Sequence, residues 1–176
     1  MRVFKYILPL LVIMASCHPY YRPTTNHVSQ YDSIYLIADI QWHKQHFPLL
    51  DKQVFSIDLL SDGLVFDSTR IVGTGLNLFF SDVFLPMTDT VLQEGIYHLD
   101  TTAAAYTFLP YIYFDKDHLT GCYMIDMRDN QIQRIIGFTA GSFEITSLGS
   151  DIRMDISLYT ADSTHYHAIY QGPYSR

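Results

Sequence analysis

The sequence lacks any run of basic residues. Its 176 residues include 11 Lys or Arg against 18 Asp or Glu, which gives a formal net charge of −7. A protein that binds nucleic acid needs clustered positive charge to contact the phosphates. Nucleic acid is therefore excluded as a partner. Cysteine is also scarce, since only Cys17 and Cys122 are present.

The sequence also has few long apolar runs, and the longest of them lies near the N-terminus. Arg2 and Lys5 precede an uncharged apolar stretch at residues 6–14, which ends in the small residues Ala15 and Ser16. A membrane-spanning helix needs about 20 apolar residues, and this stretch stops after roughly ten. The order of charged, apolar and small residues is typical of a secretory signal. We therefore predict a signal helix over residues 1–16.

The four residues Met14-Ala15-Ser16-Cys17 resemble the lipobox of bacterial lipoproteins, although Met14 replaces the more usual leucine. The resemblance implies that Cys17 is lipidated and becomes the new N-terminus after cleavage. Two acyl chains suffice to anchor a domain on a membrane without spanning it. Cys122 would then remain alone, so no intramolecular disulfide could form. The alternative is an ordinary cleaved secretion signal that happens to be followed by a cysteine.

Aromatic residues are abundant, with 14 Tyr, 11 Phe and one Trp. Such a composition buries enough apolar area to offset chain entropy, which excludes a disordered protein. Residues 17–33 are mostly polar, contain two prolines and have no sustained apolar period, so we predict a flexible tether there. No linker or repeat divides the rest of the chain, and residues 34–176 are predicted to form a single domain.

Apolar and polar residues alternate with period two through most of this domain, which is typical of half-buried β-strands. Turn residues separate the alternating segments at intervals expected of an all-β sandwich or barrel. We predict an antiparallel β-sandwich, jelly-roll-like, because many strands have mixed faces, with a calycin-like β-barrel as the alternative. The predicted strands cover residues 34–42, 55–59, 76–80, 95–99, 106–114, 122–127, 131–138, 142–148, 152–159 and 166–171.

The succession of turns and strands resembles small all-β lipoproteins of Bacteroidetes-type bacteria. It includes Gly95-Ile96-Tyr97, Ile135-Ile136-Gly137 and the closing Tyr170-Gln171-Gly172-Pro173. The resemblance implies a cell-envelope protein on the outer membrane and brings no catalytic residues with it. Acidic residues directly after the lipidated cysteine often mark surface export in such bacteria. Residues 18–21 lack them, which favours a periplasmic-facing domain.

Three carboxylates interrupt apolar strands, namely Asp58, Asp126 and Asp155. Two carboxyls at a set separation are what glycoside hydrolysis requires. Alternation also explains all three as outward-facing residues, so we predict no catalytic residues and no enzyme. The preferred function is a non-catalytic binding or assembly module with a glycan or an envelope protein as partner. A glycan-acting enzyme that uses paired Asp carboxylates is the alternative.

Histidines and tyrosines supply the remaining candidates for a site. His165 and His167 share a strand face, as two metal ligands on a strand should, and His43 and His46 offer further nitrogens. No recognised metal-binding spacing accompanies them, so we predict neither a metal site nor a cofactor.

In the aromatic segment 106–114, Leu109-Pro110 should interrupt strand pairing. Alternation places Tyr111 and Tyr113 together on one face, and large rings with few rotors bind at low entropic cost. We predict that these two tyrosines belong to any ligand-binding surface. The competing interpretation is that the aromatic residues pack in the core and in cross-strand pairs.

The lipobox resemblance predicts the fate of one variant. Cys17→Ser should abolish membrane association and leave a soluble or uncleaved precursor, because the thiol that accepts the lipid is absent. Metabolic palmitate labelling followed by membrane fractionation measures this. Labelling that persists in the variant would show that Cys17 is not the acceptor.

Overall fold

The structure is a computed structural model that describes residues 31–42, 51–68, 70–115 and 118–173. These ranges contain strands and turns but no helix, which confirms the all-β class. The signal segment, Cys17 and residues 17–30 of the tether lie outside them. In chain order the described strands are β1 Tyr31–Trp42, β2 Lys52–Ser61, β3 Leu64–Asp67, β4 Arg70–Gly73, β5 Gly75–Pro86, β6 Gly95–Leu99, β7 Thr107–Phe108, β8 Ile112–Asp115, β9 His118–Thr120, β10 Cys122–Arg128, β11 Gln131–Gly137, β12 Ala140–Leu148, β13 Asp151–Tyr159 and β14 His165–Pro173.

Eight strands close into a barrel. Their order around the ring is β5-β2-β1-β14-β13-β12-β6-β7, and β7 pairs back onto β5. Neighbours are antiparallel except for the parallel pairs β1–β14 and β6–β7. The closed ring agrees with the barrel alternative, and the preferred sandwich is not confirmed. Strands with mixed faces favoured two packed sheets, whereas here additional hairpins cover part of the outer surface of one ring.

Strand β5 divides one of its edges between two partners. Its first half, Gly75 to Phe80, pairs with β10, and Val83 and Phe84 pair with β7. The pairing with β2 on the other edge is shifted between these halves, as expected for a β-bulge. Strand β11 extends the sheet beyond β10. The sheet therefore forks at β5, with one branch closing the barrel and the other continuing outward.

Aromatic rings fill the interior of the barrel. Phe143 lies 4.7 Å from Tyr97, 5.0 Å from Phe80 and 5.1 Å from Phe108, measured between ring centroids. All four side chains are buried. The Tyr97 hydroxyl donates to the carbonyl of Gln93 over 2.9 Å, so its polar end is satisfied. For these rings the core interpretation of the aromatic density is correct.

Alternation over residues 34–42 places Ile34 and Leu36 on the same face as Ala38 and puts Tyr35 on the other face, and this prediction is wrong for the first half of β1. Tyr35 is 1% exposed, whereas Ile34 and Leu36 are 69% and 56% exposed. A register shift between Tyr35 and Ile37 inserts one extra residue against β2, which exchanges the two faces. Beyond the shift, Ala38 packs against the core. The strand also begins at Tyr31, so residues 31–33 belong to it and not to the tether.

The segment 106–114 is interrupted as predicted, because β7 ends at Phe108 and β8 begins at Ile112. The sequence predicts a loop over residues 115–121, and this is wrong in part, since β9 pairs back onto β8. Hydrogen bonds hold this hairpin against β5. The Thr120 hydroxyl donates to the Asp82 carboxylate over 2.8 Å, and the Gly121 amide donates to Ser81 Oγ over 2.6 Å.

Tyr111 and Tyr113 have different environments. The ring of Tyr111 lies over Gly137, where a Cβ atom would collide with it, and its centroid is 6.0 Å from that of Tyr123. Tyr113 is 59% exposed. Both tyrosines were predicted to be exposed on one face, but Tyr111 is half-buried. It precedes β8 and covers the bare backbone of β11.

This difference predicts unequal effects on stability. Tyr111→Ser should lower the free energy of unfolding by about 2–4 kcal/mol, because it removes a packed ring. Tyr113→Ser should change it by about 0.5 kcal/mol or less, as is usual for an exposed side chain. Urea denaturation of the two variants provides the comparison. Equal losses would contradict the packing described for Tyr111.

Candidate functional site

A cleft of about 760 Å³ lies on the outside of the barrel. One wall is the outer face of the sheet from β1 across β2 and β5 to β10, and the hairpin β3–β4 forms the opposite wall. This hairpin was not predicted, because its strands have only four residues each. The lining residues are Ile37, Ala38, Asp39, Gln41, Asp58, Phe66, Ser68, Arg70, Ile71, Asn77, Ile125, Met127 and Ile132.

A small second core holds the hairpin in place. Leu60, Leu64 and Met127 are buried together, and Ile71 and Ile125 pack against them. Leu60 points out of the barrel, so its burial depends on the hairpin. This apolar contact fixes the distance between the two walls of the cleft.

Hydrogen bonds tie the base of the hairpin to the turn between β10 and β11. Asn130 Oδ1 accepts from the Gly73 amide over 2.6 Å, and the Asn130 amide donates to the Gly73 carbonyl over 3.0 Å. The Asp129 amide donates to Thr74 Oγ1 over 2.9 Å. The sequence Gly73-Thr74-Gly75 is too short for a dinucleotide-binding loop and predicts a turn. These residues connect β4 to β5 and anchor the hairpin.

The floor of the cleft is polar. Asp39 on β1 and Asp58 on β2 are direct cross-strand partners. Cβ atoms of such partners are about 4.5–5.5 Å apart, so the two carboxyl groups are neighbours. Gln41 Nε2 donates to Asp39 Oδ2 over 2.8 Å, and Asn77 Nδ2 donates to Asp58 Oδ1 over 2.9 Å. Asn77 is only 2% exposed, so it forms the deepest part of the floor.

Asp58 lies in an environment that disfavours its negative charge. Burial raises the pKa of Asp58 to about 6. The hydrogen bond from Asn77 opposes this rise, and the neighbouring Asp39 adds to it. A carboxyl with such a pKa changes its charge between pH 5 and pH 7. The floor can therefore bind or release a proton close to neutral pH.

Of the three carboxylates predicted as candidates, only Asp58 lines the cleft. Asp126 follows Ile125 on β10, and since Ile125 faces the cleft, alternation turns Asp126 away from it. Asp155 lies on β13, and β1 and β14 separate it from β2. Neither of the other two carboxylates is therefore a partner of Asp58. The actual partner, Asp39, was not among the candidates, because only the strand pairing shows that it adjoins Asp58.

His165 and His167 lie on the outer face of β14, and each ring contacts a residue of β13. His165 Nε2 is 2.8 Å from Ser157 Oγ, and His167 Nε2 is 3.0 Å from Asp155 Oδ1. In the described ranges no three His, Cys, Asp or Glu side chains are grouped closely enough to hold a metal ion. His43 and His46 lie outside these ranges.

Tyr111 and Tyr113 do not line the cleft. Their role in ligand binding stays a prediction, and Tyr113 is the one that offers an exposed ring. A ligand surface at β8 would be separate from the cleft. Nothing in the sequence pattern distinguished the two tyrosines, because the packing of Tyr111 depends on Gly137 of a strand distant in the chain.

No known protein family, curated protein or solved structure matches this chain. In the described part of the chain, no helix has the length and apolar character needed to cross a bilayer.

The pKa of Asp58 predicts how stability depends on pH. The folded-state pKa is higher than that of the unfolded chain, so folding favours the protonated form and stability falls as the pH rises from about 4 to about 6. Asp58→Asn removes this cost and should raise the free energy of unfolding at pH 7 by about 2 kcal/mol. Urea denaturation between pH 4 and pH 8 measures both effects.

Asp155→Asn is the matched control with the opposite sign. The hydrogen bond from His167 lowers the pKa of Asp155, and Arg153 contributes in the same direction. Asp155 therefore stabilises the fold above its unfolded pKa and loses that contribution as the pH falls. Asp155→Asn should be less stable than the wild type at pH 7. The difference in the free energy of unfolding between the wild type and Asp58→Asn should change between pH 4 and pH 7. If that difference stayed the same, the environment described for Asp58 would be contradicted.

Proposed function

We propose that this protein is a lipoprotein of the bacterial cell envelope that acts as a non-catalytic binding module. The signal-like segment and Cys17 support a lipid anchor in the outer membrane, and residues 18–21 support a periplasmic-facing domain. The β-barrel would then carry its binding site outside the bilayer. The partner is a ligand of the envelope, and the cleft beneath hairpin β3–β4 is where it binds.

The observation that carries this proposal is the cleft itself. Its volume of about 760 Å³ falls within the range of roughly 300–1,000 Å³ that small-molecule sites occupy. It combines apolar walls with a few convergent polar groups, which is the usual composition of such sites. A calycin-like barrel would hold its ligand inside, but here Phe80, Tyr97 and Phe143 pack in the interior. The outer cleft is therefore the better candidate.

A glycan-acting enzyme remains the second candidate, and the pair Asp39 and Asp58 favours it. Two neighbouring carboxyls, one of them with a raised pKa, are the kind of pair that supplies the acid and the nucleophile in a retaining glycosidase. The walls argue for binding instead, because Phe66 is the aromatic residue among the lining side chains and the others offer no ring for a sugar to stack on. Release of reducing sugar from envelope glycans that Asp58→Asn abolishes would establish the enzyme.

A thermal-shift screen of the full chain tests the binding module. The compounds are glycans, aliphatic amines, fatty acids and short peptides. Ile37→Trp places a large ring at the cleft wall on β1, and Ile34→Trp places the same ring on the same strand outside the cleft. A cleft ligand should raise the melting temperature of the wild type and of Ile34→Trp by several degrees, and should have little effect on Ile37→Trp.

Two results would overturn the proposed site. The first is a screen in which none of these four classes raises the melting temperature. The second is a ligand whose effect survives in Ile37→Trp, because the binding site would then lie elsewhere on the protein.

A further inference from the structure

We propose that the cleft binds a primary ammonium group carried on a short aliphatic chain, with the ammonium at Asp39 and Asp58 and the chain between the apolar walls. This inference deepens the proposed function and rests on the cleft being the ligand site. Four features of the cleft support it: the hydrogen-bonding capacity of its floor, the charge of that floor, the chemistry of its walls and its coupling to protons.

The floor presents oxygen atoms to a ligand. The side-chain amides of Gln41 and Asn77 carry donors, and each donates to a carboxylate of the floor. Carboxylates accept hydrogen bonds and, when ionised, have none to donate. Each carboxylate accepts from one amide and has further lone pairs available. A complementary ligand group is therefore a donor, and an ammonium carries three donors and no acceptor.

The charge of the floor points to the same group. Asp39 and Asp58 are adjacent, and the cationic side chain among the residues that line the cleft is Arg70, on the opposite wall. The Arg70 guanidinium lies 3.7 Å from the carboxylate of Asp67 on the same hairpin and is largely exposed. It is directed to a partner on the hairpin, so the carboxyl pair on the floor lacks a counter-charge from this wall. A bound cation would supply it.

The apolar walls of the cleft favour a ligand with an aliphatic chain. Branched or flexible apolar side chains surround the polar floor, with Ile37 on β1, Ile71 on β4, and Ile125 and Met127 on β10. A sugar would leave its hydroxyl groups without partners against these walls, which is costly. A hydrocarbon chain of about six carbons buries its methylene groups there at a gain of about 0.8 kcal/mol each.

Ligand binding should also be coupled to a proton. Asp58 faces Asp39 on β1, Asn77 on β5 and Tyr123 on β10, with Arg70 on the hairpin wall. Burial, and to a smaller extent the charge of Asp58, raise the pKa of Tyr123 to about 12, so this tyrosine stays neutral at pH 6. A bound ammonium favours the ionised form of Asp58 and displaces its proton. The affinity should therefore increase as the pH rises from 5 to 7.

An ammonium group of this kind occurs in free amines and in the phosphatidylethanolamine headgroup. We commit to the free amine. In the lipid, a phosphate lies two carbons from the ammonium, and the oxygen-rich floor repels that negative charge. The aliphatic body of the lipid also lies beyond the phosphate and would not reach the walls while the ammonium contacts Asp58.

Isothermal titration calorimetry of the full chain with n-hexylamine tests the inference. Hexylamine should bind at pH 7 at least about tenfold more tightly than 1-hexanol or hexanoate, which share its chain but lack the positive charge. At pH 6, titrations in buffers of different ionisation enthalpy should show release of about half a proton per ligand, and almost none at pH 8. Phosphatidylethanolamine vesicles should not compete with hexylamine.

Three carboxylate variants localise the effect. Asp39→Asn and Asp58→Asn should each weaken hexylamine binding about tenfold, and Asp58→Asn should also abolish proton release. Asp155→Asn, outside the cleft, is the control and should bind like the wild type. The melting temperature of each variant verifies that it is folded. The comparison of hexylamine with 1-hexanol uses the wild type alone, so it holds even if a variant is unstable.

The outcomes separate this inference from the function on which it rests. Equal affinity for hexylamine and 1-hexanol, unchanged binding in both cleft variants, or competition by the lipid vesicles would overturn the assignment of a free amine. The cleft would still be a ligand site if another compound class bound there and Ile37→Trp abolished its effect. If no class of compound binds in the cleft, the proposed function fails together with the inference.

Discussion

The divided pairing of strand β5 is the constraint on which the rest of the structure depends. Val83 and Phe84 pair with β7 and close the barrel, whereas Gly75 to Phe80 pair with β10 and extend the sheet outward. Asn77 lies in the extended half, and this half supplies the centre of the cleft floor. Closure of the core and formation of the cleft therefore both depend on one strand that changes partner at a bulge.

The apolar interior of the barrel stabilises the fold, whereas the polar outer face beside β5 forms the cleft. The aromatic interior supplies stability, and Cys122 within it is a buried free thiol whose pKa burial raises. The outer face of β1 and β2 instead carries two adjacent carboxyl groups under a hairpin. Keeping Asp58 in that position costs stability at neutral pH, and such costs are tolerated where a site needs them. The cleft is therefore where the structure departs from what stability alone would favour.

Much of the fold was predictable from local pattern. The strands from β10 to β14 agree with the predicted ones to within a few residues, because each alternates regularly and ends at a turn. The short hairpin β3–β4 was not predictable because four residues are too few to show a period. The exchange of faces at Tyr35 could not be predicted from the sequence for a different reason. A bulge exists only relative to the partner strand, and the partner of β1 was not known. Nothing in the segment that contains Asp39 indicated that Asp58 lay opposite.

The sequence by itself determined the all-β class, most strand positions, the interruption at Leu109-Pro110 and the net negative charge. These properties arise from composition and from residues close together in the chain. Only the tertiary structure decided that the strands close into a barrel, that Tyr111 packs on Gly137, and that Asp39 meets Asp58 beneath the hairpin. Each of these depends on which strands become neighbours. Alternation shows which face a side chain occupies, but the pairing of distant strands decides what that face meets.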